Sequence, residues 1–259
     1  MRLGINIDHI AVLKAARKVN DPDVLQAVWI VARGGADQIT IHLREDRRHI
    51  DDYDAGRIVQ NSPLPVNMEC SLEPPILDIV CELRPARVTL VPEKREEVTT
   101  EGGLDVAKLA DRTAKAIDRL KACEIPVSLF VEPDDRAIAL SSECGADMVE
   151  FHTGLYANAW AMLHGNLART PYAVEGLKKS RAELEKIVHH ELERLRSGAL
   201  RASEAGLRVA AGHGLNYHNV REVAQMEWIE ELNIGQSIVA RSVFTGLEAA
   251  VREMAALVR

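Results

Sequence analysis

Aromatic residues make up only 4% of this 259-residue chain, and nowhere are they interleaved with a stripe of lysine and arginine. With a formal net charge of -7, that scarcity argues against a nucleic-acid surface, where basic groups cluster around stacking rings. Small molecules are the expected partners instead. Cysteine is sparse too: Cys70, Cys81, Cys123 and Cys144 show no CxxC spacing and fit the reduced thiols of a cytosolic protein. No apolar run approaches membrane-spanning length, and strand-like sequence from Leu3 onward leaves no room for a signal peptide. A cytoplasmic location without membrane contact is the expectation.

What the chain has is apolar content, at 47%, ample for one large α/β domain or two small ones. Eight short strand-like segments stand out: 3–7, 38–42, 66–69, 87–91, 127–131, 148–152, 207–211 and 231–234. Helical spacing separates nearly all of them, over 22–33, 74–83, 104–123, 133–143, 218–226 and 242–258, several with proline placed for a first turn. Eight strands with intervening helices point to a (β/α)8 barrel spanning residues 1–259, although a doubly wound open sheet shares much of the pattern. A short internal echo fits two half-barrels. Gly35-Ala36-Asp37 and Gly145-Ala146-Asp147 each precede a strand, and each aspartate lies five residues before a histidine, His42 or His152.

Parallel strands covered on both faces are normally continuous valine, isoleucine and leucine. Here Asn6 and Asp8, Thr40 and His42, Asn67 and Glu69, and Glu150 and His152 recur with period two toward strand C-termini. Any one of them could be a satisfied core group; four strands together place an active site at the C-terminal mouth. The densest cluster is Ile39 to Ile50, where His42 is followed by Arg44, Asp46, Arg47, Arg48 and His49. Imidazole among guanidinium groups suits proton transfer on an anionic substrate, and a solvated charge run is the plainer alternative. After strands seven and eight come Gly212-His213-Gly214 and Gly235-Gln236-Ser237, either backbone cradles for phosphate or ordinary tight turns. The polar segment 92–103 is a lid hinged at Gly102 and Gly103 or a solvated loop. Between His152 and Leu207 the crossover is long enough for a helical insertion over about 155–205. Its apolar stripe of Leu184, Ile187, Val188, Leu192 and Leu195 could pack on its own barrel; it is expected here to make a subunit contact.

GINIDHIA, HLREDRRHI, NMEC, VPEKREEVTTEGGLD, EFHTG, AGHGLNYHNV and ELNIG, taken in chain order, resemble the pyridoxine 5′-phosphate synthase family from Leu3 to near the C-terminus. The resemblance implies a barrel with extra helices, assembled as a homo-octamer of dimers, without cofactor or metal. It implies phosphorylated small-molecule substrates: 1-deoxy-D-xylulose 5-phosphate is condensed with 3-amino-2-oxopropyl phosphate to pyridoxine 5′-phosphate, releasing phosphate and water. By the same resemblance His42 and Glu69 are general bases, His213 the general acid, and Glu150 the carboxylate that supports the transition state. Asn6, Arg17 from a neighbouring subunit, Gly214, Gly235 and Gln236 would hold the amino ketone phosphate. Asp8, His9, Arg44, His49 and Thr99 would hold the deoxyxylulose phosphate. Gln236 departs from the family pattern, which has histidine there; glutamine still donates a hydrogen bond but carries no charge. Two other readings stay open: a metal-dependent barrel hydrolase using His42, Glu69, Glu150 and His152, and a non-catalytic sugar phosphate binding protein.

Overall fold

A computed structural model describes residues 1–93 and 102–259. Eight strands, β1 (Arg2–Asn6), β2 (Gln38–His42), β3 (Val66–Cys70), β4 (Arg87–Leu90), β5 (Val127–Val131), β6 (Met148–His152), β7 (Arg208–Gly212) and β8 (Glu231–Ile234), pair in parallel in that order. β8 returns to β1 and closes the barrel, which removes both sheet edges. The open-sheet alternative is thereby excluded.

Helices α1 (Asp8–Arg17) and α2 (Val24–Gly34) follow β1, while α3 (Asp52–Asn61), α4 (Pro74–Leu83), α5 (Val106–Ala122) and α6 (Asp135–Glu143) follow β2 to β5. The long crossover holds α7 (Gly154–His164) and α8 (Arg181–Glu204); α9 (Val220–Ala224) follows β7, and α10 (Gln236–Thr245) and α11 (Leu247–Val258) follow β8. Local chemistry sets several of these starts. The side chains of Asp23, Asp105 and Asp134 accept from backbone amides at the starts of α2, α5 and α6, so the helices expected to open on Pro22 and Pro133 begin two residues later. Ser180 and Glu183 form a reciprocal capping box on α8. Gly246, at a φ of 81°, separates α10 from α11, so one expected C-terminal helix is two.

Ile39, Ile41, Val88, Leu90, Val149, Phe151, Leu232 and Ile234 point outward into the layer between sheet and helices, which is the hydrophobic core. The alternate residues point into the lumen, and the lower lumen is polar. Arg87 on β4 reaches across to Glu231 on β8 in a buried ion pair; Arg87 is 7% exposed and Glu231 0%. Gln38 donates to Glu231 at 3.1 Å, and the Asn233 amide donates to Glu150 at 2.7 Å. Thr89 donates to Asn67 at 2.9 Å. Most of the groups filling the barrel's floor are thus partnered to one another, as burial demands.

The echoed aspartates do the same work in each half: Asp37 accepts from the Leu3 amide and Asp147 from the Val127 amide, both at 2.9 Å. Each pins the base of its own strand to the start of a neighbouring one. In the stripe on α8, Leu184 and Leu195 are 5% and 1% exposed within the single chain, Leu184 packing with Ala159, Met162 and Leu177 and Leu195 joining the main core. Within the single chain, then, α7 and the core cover much of that stripe, while Ile187, Val188 and Leu192 stay half-buried.

Removing one member of a buried ion pair strands the other's charge in a low-dielectric interior, at about 3–5 kcal/mol. Arg87→Met should lose that much in urea unfolding, and adding Glu231→Gln should restore much of it; equal losses in the single and double variants would contradict the pairing.

Candidate active site

His42 ends β2 with its side chain facing the mouth, buried between two carboxyl groups. Its Nε2 is 2.9 Å from Glu93 Oε1, and its Nδ1 is 3.9 Å from Glu69 Oε2. Asp8 is 6% exposed and joins them by accepting from the His42 amide at 2.9 Å through Oδ1. Asn6 holds Asp8 in turn, donating to Oδ2 at 3.0 Å and accepting the Asp8 amide at 2.9 Å. One ligand atom each from Asp8, His42 and Glu69 lies within 4.8 Å of the others, the group among the described residues that could hold a metal ion. Both Asp8 oxygens are already engaged by Asn6 and His42, which favours a hydrogen-bonded acid–base cluster.

On the opposite side, Glu150 is 3% exposed and takes the Asn233 bond from beneath. His213 follows β7 in a left-handed backbone conformation, φ 77°, a cost that functional sites commonly carry for a non-glycine residue. Gly214 continues at φ 85° and packs against Ala157. Gly235 lies against Asn6, where an added Cβ would come within 2.9 Å of the Asn6 backbone oxygen. Only glycine allows that approach. Gln236 is exposed at the first turn of α10, a helix start without a side-chain cap.

Arg44 is 3% exposed and 3.5 Å from Asp46. His9 and His49 each bury an Nδ1 that has no hydrogen-bond partner among the described residues. Unpartnered buried polar atoms at a barrel mouth are what a polar ligand would satisfy. Arg17 is exposed in the last turn of α1; the helix rise puts it about 13 Å along the axis from Asp8. It is not gathered with the others. Thr99 and most of the proposed lid lie outside the described residues.

Burial dominates the electrostatics. It raises the Glu69 carboxyl well above the usual carboxylate range, with Glu150 and Asp8 adding repulsion. Burial also raises Glu150, to about 7, against the opposing pull of the Asn233 hydrogen bond and the Arg87 charge. It lowers His213 to about 4, helped by repulsion from His152 and His9, and it lowers His9 and His49. Glu93 goes the other way: burial opposes its charge, but the hydrogen bond and charge of His42 hold it ionised. The two carboxyls flanking His42 are thus pushed in opposite directions, Glu69 toward its protonated form and Glu93 toward its ionised one.

Four groups that matter here escaped the sequence reading as site residues. Glu93 lies in what reads as a solvated segment, yet it is the hydrogen-bond partner of His42. Asn233 and Arg87 read as single polar residues on apolar strands, and both act on Glu150. Glu132 lies just past β5 and contacts His152. The period-two rule, extended to β4, β5 and β8, would have found Arg87, Asn233 and Glu132.

A closed parallel barrel with titratable groups gathered at its C-terminal mouth has the architecture of a (β/α)8 enzyme. Solved structures agree on the fold: 3-hexulose-6-phosphate synthase superimposes with a TM-score of 0.62 at 16% identity, covering 100% of each chain. Residues 3–259 match one family model, and the chain belongs to that family, the pyridoxal phosphate biosynthesis protein PdxJ family. The pyridoxine 5′-phosphate synthase of a Nitratiruptor species is 61% identical, covering 98% of this chain and 96% of the relative. That of a Sulfurovum species is 60% identical, covering 99% and 100%.

His213 supplies a pH test. Its imidazole is depressed from 6.5 to about 4 in the fold, so between those values the unfolded chain binds the proton more readily. Its stability contribution is present above pH 6.5 and is lost as pH falls through about 4, amounting to about 3 kcal/mol. His213→Gln should therefore gain on the parent by roughly that amount between pH 7.5 and 4 in urea unfolding; a pH-independent difference would contradict the buried neutral ring.

Proposed function

We propose that the chain condenses 1-deoxy-D-xylulose 5-phosphate with 3-amino-2-oxopropyl phosphate, forming pyridoxine 5′-phosphate and releasing phosphate and water. The observation that carries this reading is 61% identity, over nearly the whole of both chains, to a relative named for that product. Ring closure needs repeated proton transfers at carbons beside carbonyl or imine groups, and several titratable groups around one pocket supply them.

In this scheme His42 takes protons from substrate carbon, with Glu93 stabilising the imidazolium that forms. Glu69 is the second base. The burial that raises its pKa also makes its carboxylate a stronger base. His213 is the proton donor to departing oxygen; an anionic substrate arriving beside it raises its pKa from the free-site value toward neutrality. Glu150, near neutrality, supports charge that develops at the ring-forming carbon. The reaction so written uses neither cofactor nor metal.

Asp8, His9, Arg44, His49 and Thr99 hold the deoxyxylulose phosphate, and Asn6, Gly214, Gly235 and Gln236 the amino ketone phosphate. The α10 N-terminus adds its partial positive charge, which matters more here because Gln236 is uncharged. Arg17, too far along α1 to serve its own mouth, completes the site of a neighbouring copy, and assembly as a homo-octamer in the cytoplasm belongs to the same reading.

Mixing the two phosphorylated substrates with the chain should give pyridoxine 5′-phosphate, followed by absorbance and mass; no product would refute the assignment. His42→Ala should keep its fold by circular dichroism and lose about 10²- to 10⁴-fold in turnover, whereas undiminished turnover would remove His42 from its role.

A further inference from the structure

We propose that His152 is a positioning residue for His213, held in its working orientation by Glu132. The two imidazoles pack with centroids 4.9 Å apart at 58°, and Phe130 closes a three-ring cluster at 5.2 Å from His152 and 6.2 Å from His213. Among the described residues no side chain hydrogen-bonds the His213 ring, so these ring contacts set its direction. Its backbone is held by the neighbour of His152: the Thr153 hydroxyl is shared between the carbonyls of Gly212 at 2.7 Å and His213 at 2.6 Å. Residues 152 and 153 thus grip His213 from ring and main chain together.

His152 is itself fixed. Its Nδ1 lies 2.8 Å from Glu132 Oε1, the arrangement in which a carboxylate sets both tautomer and ring orientation of a histidine. The other ring edge lies over the start of α7, where an added Cβ on Gly154 would come within 2.7 Å of His152 Cε1. Glu132 is supported in turn. The Gly103 amide donates to its Oε1 at 3.4 Å, and Arg194 of α8 stands 3.7 Å from its Oε2. Arg194 is anchored by Glu191, itself 5% exposed, at 2.9 and 2.7 Å. The long crossover helix is thereby connected to the proton donor through Glu132 and His152.

The inference rests on the reading of His213 as proton donor. A donor must meet its target within hydrogen-bond reach, and a misplacement of about 1 Å can cost on the order of 10²-fold in rate. The charged groups facing the pair are His9 from α1, Glu150 against Gly212, Glu132 from just past β5 and Arg194 from α8. His152 adds to the depression of His213, and Glu132 is held ionised against its own burial by the His152 hydrogen bond. A change at His152 should therefore be readable at the His213 ring, and one at Glu132 at the His152 ring.

Two variants separate positioning from packing. His152→Phe keeps an aromatic ring against His213 but removes the charge and the Glu132 bond, and Glu132→Gln keeps an acceptor for His152 but removes the carboxylate. NMR titration of the His213 ring in the unliganded protein should move upward from its parent value in His152→Phe, where the repelling imidazole is gone, by on the order of half a pH unit, while in Glu132→Gln the ring nitrogen shifts of His152 should report a changed tautomer balance. Turnover of the two substrates should fall about 10²-fold in His152→Phe, with KM changed less than about twofold, and less steeply in Glu132→Gln. An unmoved His213 titration in His152→Phe, or unmoved His152 nitrogen shifts in Glu132→Gln, overturns the proposal even if turnover falls, and parental turnover in His152→Phe overturns it even if the titration moves. Should the parent chain make no product, the function reading fails separately, while the NMR measurements still decide whether His152 acts on His213 and Glu132 on His152.

Discussion

Glu150 stands where the polar floor of the barrel meets the catalytic mouth, and the structure above it depends on how its charge is handled. A carboxyl this deeply buried would stay protonated if nothing opposed desolvation. Asn233 donates to it from below, and the Arg87 charge, itself paired with Glu231 across the lumen, pulls in the same direction. The opposing effects leave it near 7, the range in which a carboxyl can both hold and release a proton under physiological conditions. Glu69 is pushed up partly by Glu150, so the lower layers reach the Glu69 carboxyl through this group.

The mouth is built on a repeated device. His42 is clamped by Glu93 and His152 by Glu132, each carboxylate coming from just beyond a different strand. The paired aspartates Asp37 and Asp147 fix the bases of the two histidine-bearing strands in the same way. Two half-barrels thus present two oriented imidazoles to one cavity. Their surroundings differ: His42 opens onto Arg44 and His49, while His152 backs onto His213 and the crossover helices. The symmetry lies in the support, and the chemistry departs from it.

Much of this was legible in the sequence because the barrel's two periodicities are both written there. Ile39, Ile41, Val149 and Phe151 alternate with Thr40, His42, Glu150 and His152, and that alternation alone separates helix-facing from lumen-facing positions. The family motifs then assigned chemistry to the lumen side. What resisted reading had physical causes. Helix α1 begins at Asp8 and His9, whose polarity continues the strand's own pattern and hides the change of period. Arg87 and Glu231 are far apart in sequence, and neither has a local signature that reveals the other across the lumen. Glu93 sits beside a run of charges that reads as solvated surface. The stripe on α8 is a true amphipathic face, and sequence does not say that α7 from the same crossover covers part of it.

Infrared difference spectroscopy of the buried carboxyl band tests the central claim most directly, namely that the ion pair under the mouth sets the protonation of Glu150. A carboxyl band titrating near pH 7 should be present in the parent chain, disappear in Glu150→Gln, move to higher pH in Arg87→Met, where the opposing cation is gone, and move less in Arg87→Met with Glu231→Gln, which also removes the repulsion from Glu231. A band that persists in Glu150→Gln, or that keeps its midpoint in Arg87→Met, would contradict the account.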